Sequence, residues 1–174
     1  VIMAPKDGPE LKKFLAFSLK QNIPVAIRYP KAAASLLAGR SSEIEVGKAE
    51  VLREGKDFCV IALGSMCNES SEAMDILDKE GLKGALVNAR FVKPLDKDLF
   101  KGLSRKHKFV FTVEEGVLDG GFGSAVMEAI DMPLVRIGLP CSFIPHGKRE
   151  FLLNRYGLDA EGIAAKIKAV VWQK

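Results

Sequence analysis

Phe58-Cys59-Val60-Ile61-Ala62-Leu63-Gly64-Ser65 decides the fold. Six consecutive apolar residues are too few to cross a membrane, and the Gly-Ser stop fits the end of a buried strand. A strand that is apolar at even and odd positions alike needs cover on both faces, as in a parallel sheet between helix layers. The same unit recurs downstream. Gly64-Ser65 leads into a helix near 68–79 stopped by Gly81, and a strand at 85–89 leads into a helix near 97–105. A strand at 109–113 precedes a helix near 124–130, and a strand at 134–137 precedes helices near 148–156 and 160–172. Gly157 stops the first of these last two helices and Asp159 caps the second. Short apolar strands alternating with helices predict an α/β fold, a doubly wound, mostly parallel sheet with right-handed crossovers.

Upstream of the deciding strand, 48–53 alternates and ends at the turn Glu54-Gly55-Lys56, which predicts a hairpin or an edge strand. From Lys31 to about Val46 the pattern is lost, which makes 37–46 a linker. The first thirty residues read as strand, helix, strand. Val1–Met3 is apolar, Asp7-Gly8-Pro9-Glu10 has the form of a capping box, apolar positions recur at helical spacing to about Gln21, and 24–29 is rich in strand formers. The chain opens without Met inside what reads as a strand, the expectation for the downstream piece of a longer polypeptide.

Composition removes several classes. With 174 residues, 48% hydrophobic, 28% charged and a mean hydropathy of +0.09, the chain suits one globular domain, or a domain plus a fragment. Lys and Arg number 26 against 22 Asp and Glu, but the signs are interleaved (Lys93, Asp96, Lys97, Asp98, Lys101) and only 7% of residues are aromatic. That pattern argues against a nucleic-acid partner, and the lack of a long apolar run argues against a membrane partner. Cys59, Cys67 and Cys141 form no C-x-x-C pair, which points to a reducing, cytoplasmic setting, and two histidines argue against zinc.

In open α/β sheets, ligands gather at the carboxyl ends of the strands. Four loops fall there: 64–67, 90–96, 114–124 and 138–147. Gly120-Gly121-Phe122-Gly123-Ser124 before a helix could offer N–H groups to a phosphate, or could simply let helix and strand approach, and the packing reading is favoured. Glu114 and Glu115 could share acid–base work. Adjacent strand residues diverge, however, so one packing or interface carboxylate and one solvated carboxylate are expected. His146 reads as a hydrogen-bonded loop residue, His107 as a surface residue between two lysines, and Cys141 as a small filler. Arg28-Tyr29-Pro30-Lys31 ranks highest. Its two cations at a strand end could hold a substrate phosphate, or Arg28 could pair with a local carboxylate.

Taken together, the strings at 1–5, 28–30, 89–96, 112–116, 120–124, 137–140, 143–147 and 157–159 resemble the 1-deoxy-D-xylulose-5-phosphate synthases, transketolase-like enzymes, over essentially the whole chain. The resemblance implies a thiamine-diphosphate and Mg²⁺ enzyme that condenses pyruvate with glyceraldehyde 3-phosphate, releases carbon dioxide and works as a homodimer. It implies that 1–36 closes a pyrimidine-binding domain and 47–174 is a C-terminal domain. The cofactor ligands would then lie in the rest of the polypeptide, so that this chain alone binds no cofactor and is inactive. The family's substrate-phosphate Arg follows the Arg-Tyr-Pro string and maps onto Lys31, with Arg28 beside it; Lys keeps the charge and loses the fork. The family's Asp after Gly-Leu-Pro is Cys141 here. Two other readings remain open: the β-subunit of a 2-oxo acid dehydrogenase, and an interaction module without chemistry.

Overall fold

The computed structural model describes residues 1–33, 36–37, 42–130 and 133–172. Among them the element order is β1 (Ile2–Met3), α1 (Gly8–Ser18), β2 (Ala26–Ile27), β3 (Glu50–Arg53), β4 (Phe58–Ala62), α2 (Met66–Lys79), β5 (Gly84–Asn88), β6 (Phe91–Lys93), α3 (Lys97–Lys106), β7 (Val110–Val117), α4 (Phe122–Ala129), β8 (Val135–Leu139), α5 (Arg149–Tyr156) and α6 (Ala160–Val171).

The deciding strand lies at the centre of a five-stranded sheet ordered β3-β5-β4-β7-β8. Strands β5, β4, β7 and β8 are parallel, and β3 runs antiparallel on the outer edge of β5. Strand β3 is therefore an edge strand and makes no hairpin with β4, whose two sides are already taken by β5 and β7. The two-residue period of β4 sorts its side chains between two cores. Phe58, Val60 and Ala62 meet Met74 and Leu77 of α2, Leu153 of α5 and Ile163 and Ile167 of α6. Cys59 and Ile61 meet Phe100 and Leu103 of α3 and Phe122 and Val126 of α4. Both faces are covered, which is why the strand is apolar throughout. Helix ends follow their signals: Asp96 and Asp159 accept from the N–H groups of Leu99 and Gly162, and Gly157 ends α5 at φ +62°.

The N-terminal segment is a β-α-β unit in which β1 and β2 pair in parallel. Its sheet has a third strand supplied from the other lobe: β6 pairs antiparallel with β1, giving the order β2-β1-β6. The 90–96 stretch, expected as a loop, is therefore partly strand. The chain leaves the five-stranded sheet at β5, turns at Arg90 (φ +58°) and enters the smaller sheet as β6. Phe91 then packs beside Met3 and Phe14, its ring 6.0 Å from that of Phe14.

The same turn buries a charge network. The Arg90 side chain, 1% exposed, donates from Nε to Glu10 at 2.8 Å and lies 3.0 Å from Glu50. Lys6 Nζ lies 2.8 Å from Glu50 and 3.3 Å from Glu10, and Asn88 donates to both Glu10 oxygens at 3.0 Å. Burial alone would lower the Lys6 pKa and raise that of Glu50, but the hydrogen bond between them and the surrounding charges reverse both directions. The capping box is thus half formed. Asp7 accepts from the Glu10 N–H as expected, whereas the Glu10 carboxylate accepts from the Lys6 N–H and turns into the network. Of the linker, residues 38–41 lie outside the described residues; Ser42 donates from its N–H to Glu50 at 2.7 Å.

Candidate functional site

The carboxyl end of β7 is irregular. Val113 pairs with Ile137 and Val117 with Leu139, so β7 spends four residues where β8 spends two. The bulge frees Glu114, Glu115 and Gly116 from the ladder, a common way to aim side chains at a site. The two carboxylates diverge, as expected from their adjacency. Glu114, 4% exposed, accepts from the N–H groups of Phe122 and Gly123 at 2.8 Å each. The positive end of α4 is therefore closed by an internal carboxylate, which decides the glycine-rich loop in favour of packing. A Cβ on Gly121 would lie 2.5 Å from a Glu114 oxygen.

Glu115 is not solvated as expected. Arg149, at the start of α5, donates to it from Nε at 2.9 Å and from Nη2 at 2.6 Å, and Ser65 Oγ donates to it at 3.2 Å. The Glu115 hydrogen bond raises the Arg149 pKa against the opposing effect of burial. Arg28, just past β2, donates from Nη2 to the backbone carbonyl of Glu115, the group released by the bulge. Its partner is thus a carbonyl oxygen, and a local carboxylate pair is not formed among the described residues.

Two clefts share the wall made by Pro30 and Glu115. The smaller, about 70 Å³, lies between Arg28, Tyr29, Gly64 and Ser65. The larger, about 390 Å³, has Lys31 and Arg149 at its polar side and Leu139, Ile144 and Leu152 at its apolar side. The structure thus brings Arg28 and Lys31 to neighbouring clefts, along with loops 64–67, 114–124 and 138–147; the 90–96 loop is consumed by β6 and the charge network. Lys31 is exposed and forms no ion pair among the described residues. Arg149 and Ser65 were not singled out as site residues from sequence. No spacing rule joins Arg149 to a carboxylate thirty-four residues earlier.

Two minor readings are corrected. His107, the residue that ends α3, is buried, 5% exposed, with its ring nitrogens 3.0 Å from the Leu103 carbonyl and 2.9 Å from that of Gly55, while Lys106 and Lys108 on either side are exposed. His146 is exposed, and Cys141 is exposed too, so it fills no core position. Cys59 and Cys67 are buried free thiols, and burial pushes Cys59 up to about 12. No helix among the described residues is long and apolar enough to cross a membrane.

The residues here do not fit a magnesium diphosphate. Glu114 fills the glycine-flanked helix terminus that could otherwise cradle a phosphate, and no cluster of three or more His, Cys, Asp or Glu among the described residues is placed to hold a metal ion.

Residues 47–163 match the family model described as transketolase, C-terminal domain. The chain is 42% identical over 171 residues to a 1-deoxy-D-xylulose-5-phosphate synthase of Heliobacterium modesticaldum, covering 94% of this chain and 26% of that protein. It is 44% identical over 175 residues to that of Syntrophotalea carbinolica, covering 97% and 28%. The chain thus spans about a quarter of the length of these curated relatives. Among solved structures, a split-gene transketolase described as an inactive beta4 tetramer superposes with a TM-score of 0.91 at 29% identity, covering 99% of this chain and 58% of that one. Transketolase from Campylobacter jejuni superposes at 0.75 and 21% identity over 97% of this chain and 26% of that one, a likeness of fold.

Proposed function

Since the chain belongs to the transketolase C-terminal domain family, we propose that it forms the C-terminal portion of a 1-deoxy-D-xylulose-5-phosphate synthase. In this reading the whole protein, a cytoplasmic homodimer, condenses pyruvate with glyceraldehyde 3-phosphate and releases carbon dioxide. Thiamine diphosphate and Mg²⁺ are held by the rest of the polypeptide. Residues 1–36 close a pyrimidine-binding domain, 37–46 link, and 47–174 form the C-terminal domain. This chain contributes a supporting lobe and, through Arg28 and Lys31, positive charge for the substrate phosphate. The observation that carries the reading is the identity to relatives of that name across nearly the whole chain, which takes in the N-terminal segment as well as the lobe. The inactive assembly formed by the similar split-gene chain supports placing the chemistry elsewhere.

The full-length protein should release carbon dioxide from pyruvate only when glyceraldehyde 3-phosphate is present. Pyruvate turnover that ignores the aldehyde would overturn the assignment. In that protein, Lys31→Ala should raise KM for the phosphorylated aldehyde on the order of tenfold, one charge-assisted bond's worth, and leave KM for pyruvate unchanged. Equal shifts for both substrates would remove Lys31 from the phosphate site. Calorimetry on the isolated chain with thiamine diphosphate and Mg²⁺ should give no binding heat, and a micromolar Kd would show that this chain carries cofactor ligands of its own.

A further inference from the structure

We propose that Arg149 is a positioning residue for the phosphate-binding cations, acting through Glu115; this rests on the functional reading above. Three contacts carry it. Arg149 grips the Glu115 carboxylate with two donors, at 2.9 and 2.6 Å. Ser65 joins them, donating to Glu115 at 3.2 Å and accepting from Arg149 at 3.2 Å. The backbone carbonyl of the same Glu115 accepts from Arg28. One residue therefore ties α5, the start of α2 and the end of β2 together, at the wall shared by the two clefts.

The bulge in β7 makes this tie necessary, since it takes Glu115 out of the ladder that would otherwise hold it. Without Arg149, the carbonyl that orients Arg28 would sit on a bulged stretch of β7 paired to β8 only at Val113 and Val117. Charge leads to the same conclusion. Arg149 and Glu115 neutralise each other, so the net positive charge facing an anion comes from Arg28 and Lys31. Removing Arg149 would also bare a carboxylate beside the place where a phosphate binds. Both consequences run through Glu115, which separates this role from direct contact with substrate.

The test uses the full-length protein with glycerol 3-phosphate, an unreactive phosphomonoester, titrated by calorimetry beside steady-state kinetics. Arg149→Gln should weaken glycerol 3-phosphate binding and raise KM for glyceraldehyde 3-phosphate on the order of tenfold, with KM for pyruvate unchanged. Arg149→Lys, which keeps the charge and loses the fork, should restore part of the loss. In a Glu115→Gln background the Arg149→Gln change should have a clearly smaller effect than in the parent. Unaltered phosphomonoester affinity in Arg149→Gln, additive effects in the double variant, or equal KM shifts for both substrates would each overturn the inference. If the unmutated protein binds glycerol 3-phosphate and Arg149→Gln weakens it, yet no aldehyde-dependent carbon dioxide appears, the functional reading fails and the positioning role stands.

Discussion

Arg90→Met should lower the unfolding free energy of this chain by about 3–5 kcal/mol, the usual loss when one member of a buried ion network is removed. Arg90 reaches both Glu10 and Glu50, and Lys6 alone cannot balance two buried carboxylates. Asp7, just outside the network, adds a further negative field at Lys6. The Arg90 backbone sits in the left-handed region at φ +58°, a conformation that costs on the order of 1–3 kcal/mol in a residue other than glycine and persists because its surroundings hold it. The deficit should be largest near pH 7 and narrow as pH falls below the ordinary carboxylate range. In the unmutated chain the Glu50 carboxyl is held below its usual pKa, so its contribution is present above that value and disappears as pH falls through the lowered one. In the variant, protonating the unbalanced carboxylate removes the repulsion instead. Urea denaturation at pH 7 and pH 4 reads both effects. A loss under about 1 kcal/mol at pH 7, or a gap that does not change with pH, would show that the network contributes little.

Glu114→Ala should cost about 3 kcal/mol, because it strands the buried N–H groups of Phe122 and Gly123 and removes the negative charge from the start of α4. Glu114→Gln keeps the shape and one acceptor oxygen and should lose about half as much. The alanine variant also opens a helix terminus with two free donors. Sulfate should then recover part of the stability where chloride at equal ionic strength does not. Urea denaturation of both variants with each salt is the measurement. If the alanine variant stays within about 0.5 kcal/mol of the parent, another group satisfies those donors.

The α/β class was legible because the central strands are apolar on both faces and several helices carry local stop or cap residues. Phe58–Ala62 had to be covered twice, and Asp96, Asp159 and Gly157 mark helix ends by contacts within a few residues. Arg28 and Lys31 could be placed at a strand end by the same local logic, with Pro30 fixing the backbone between them. Pairing between distant residues was not legible. His107 looked like a surface residue between lysines, and Glu10 looked like half of a capping box. Each is buried by a partner far along the chain: Gly55 for the first, Asn88 and Arg90 for the second.

By itself the sequence determined the order of strands and helices apart from β6, the two-sided cover of the central sheet and the neighbourhood of the candidate cations. All of these rest on periodicities and caps that act over a few residues. Tertiary structure alone decided that β6 joins the N-terminal sheet, that Glu114 faces a helix terminus while Glu115 faces Arg149, and that four charges share one buried space. Those outcomes depend on a bulge and a backbone turn, and on which distant groups the folded chain brings within 3 Å or so of each other, a distance that no spacing in the chain encodes.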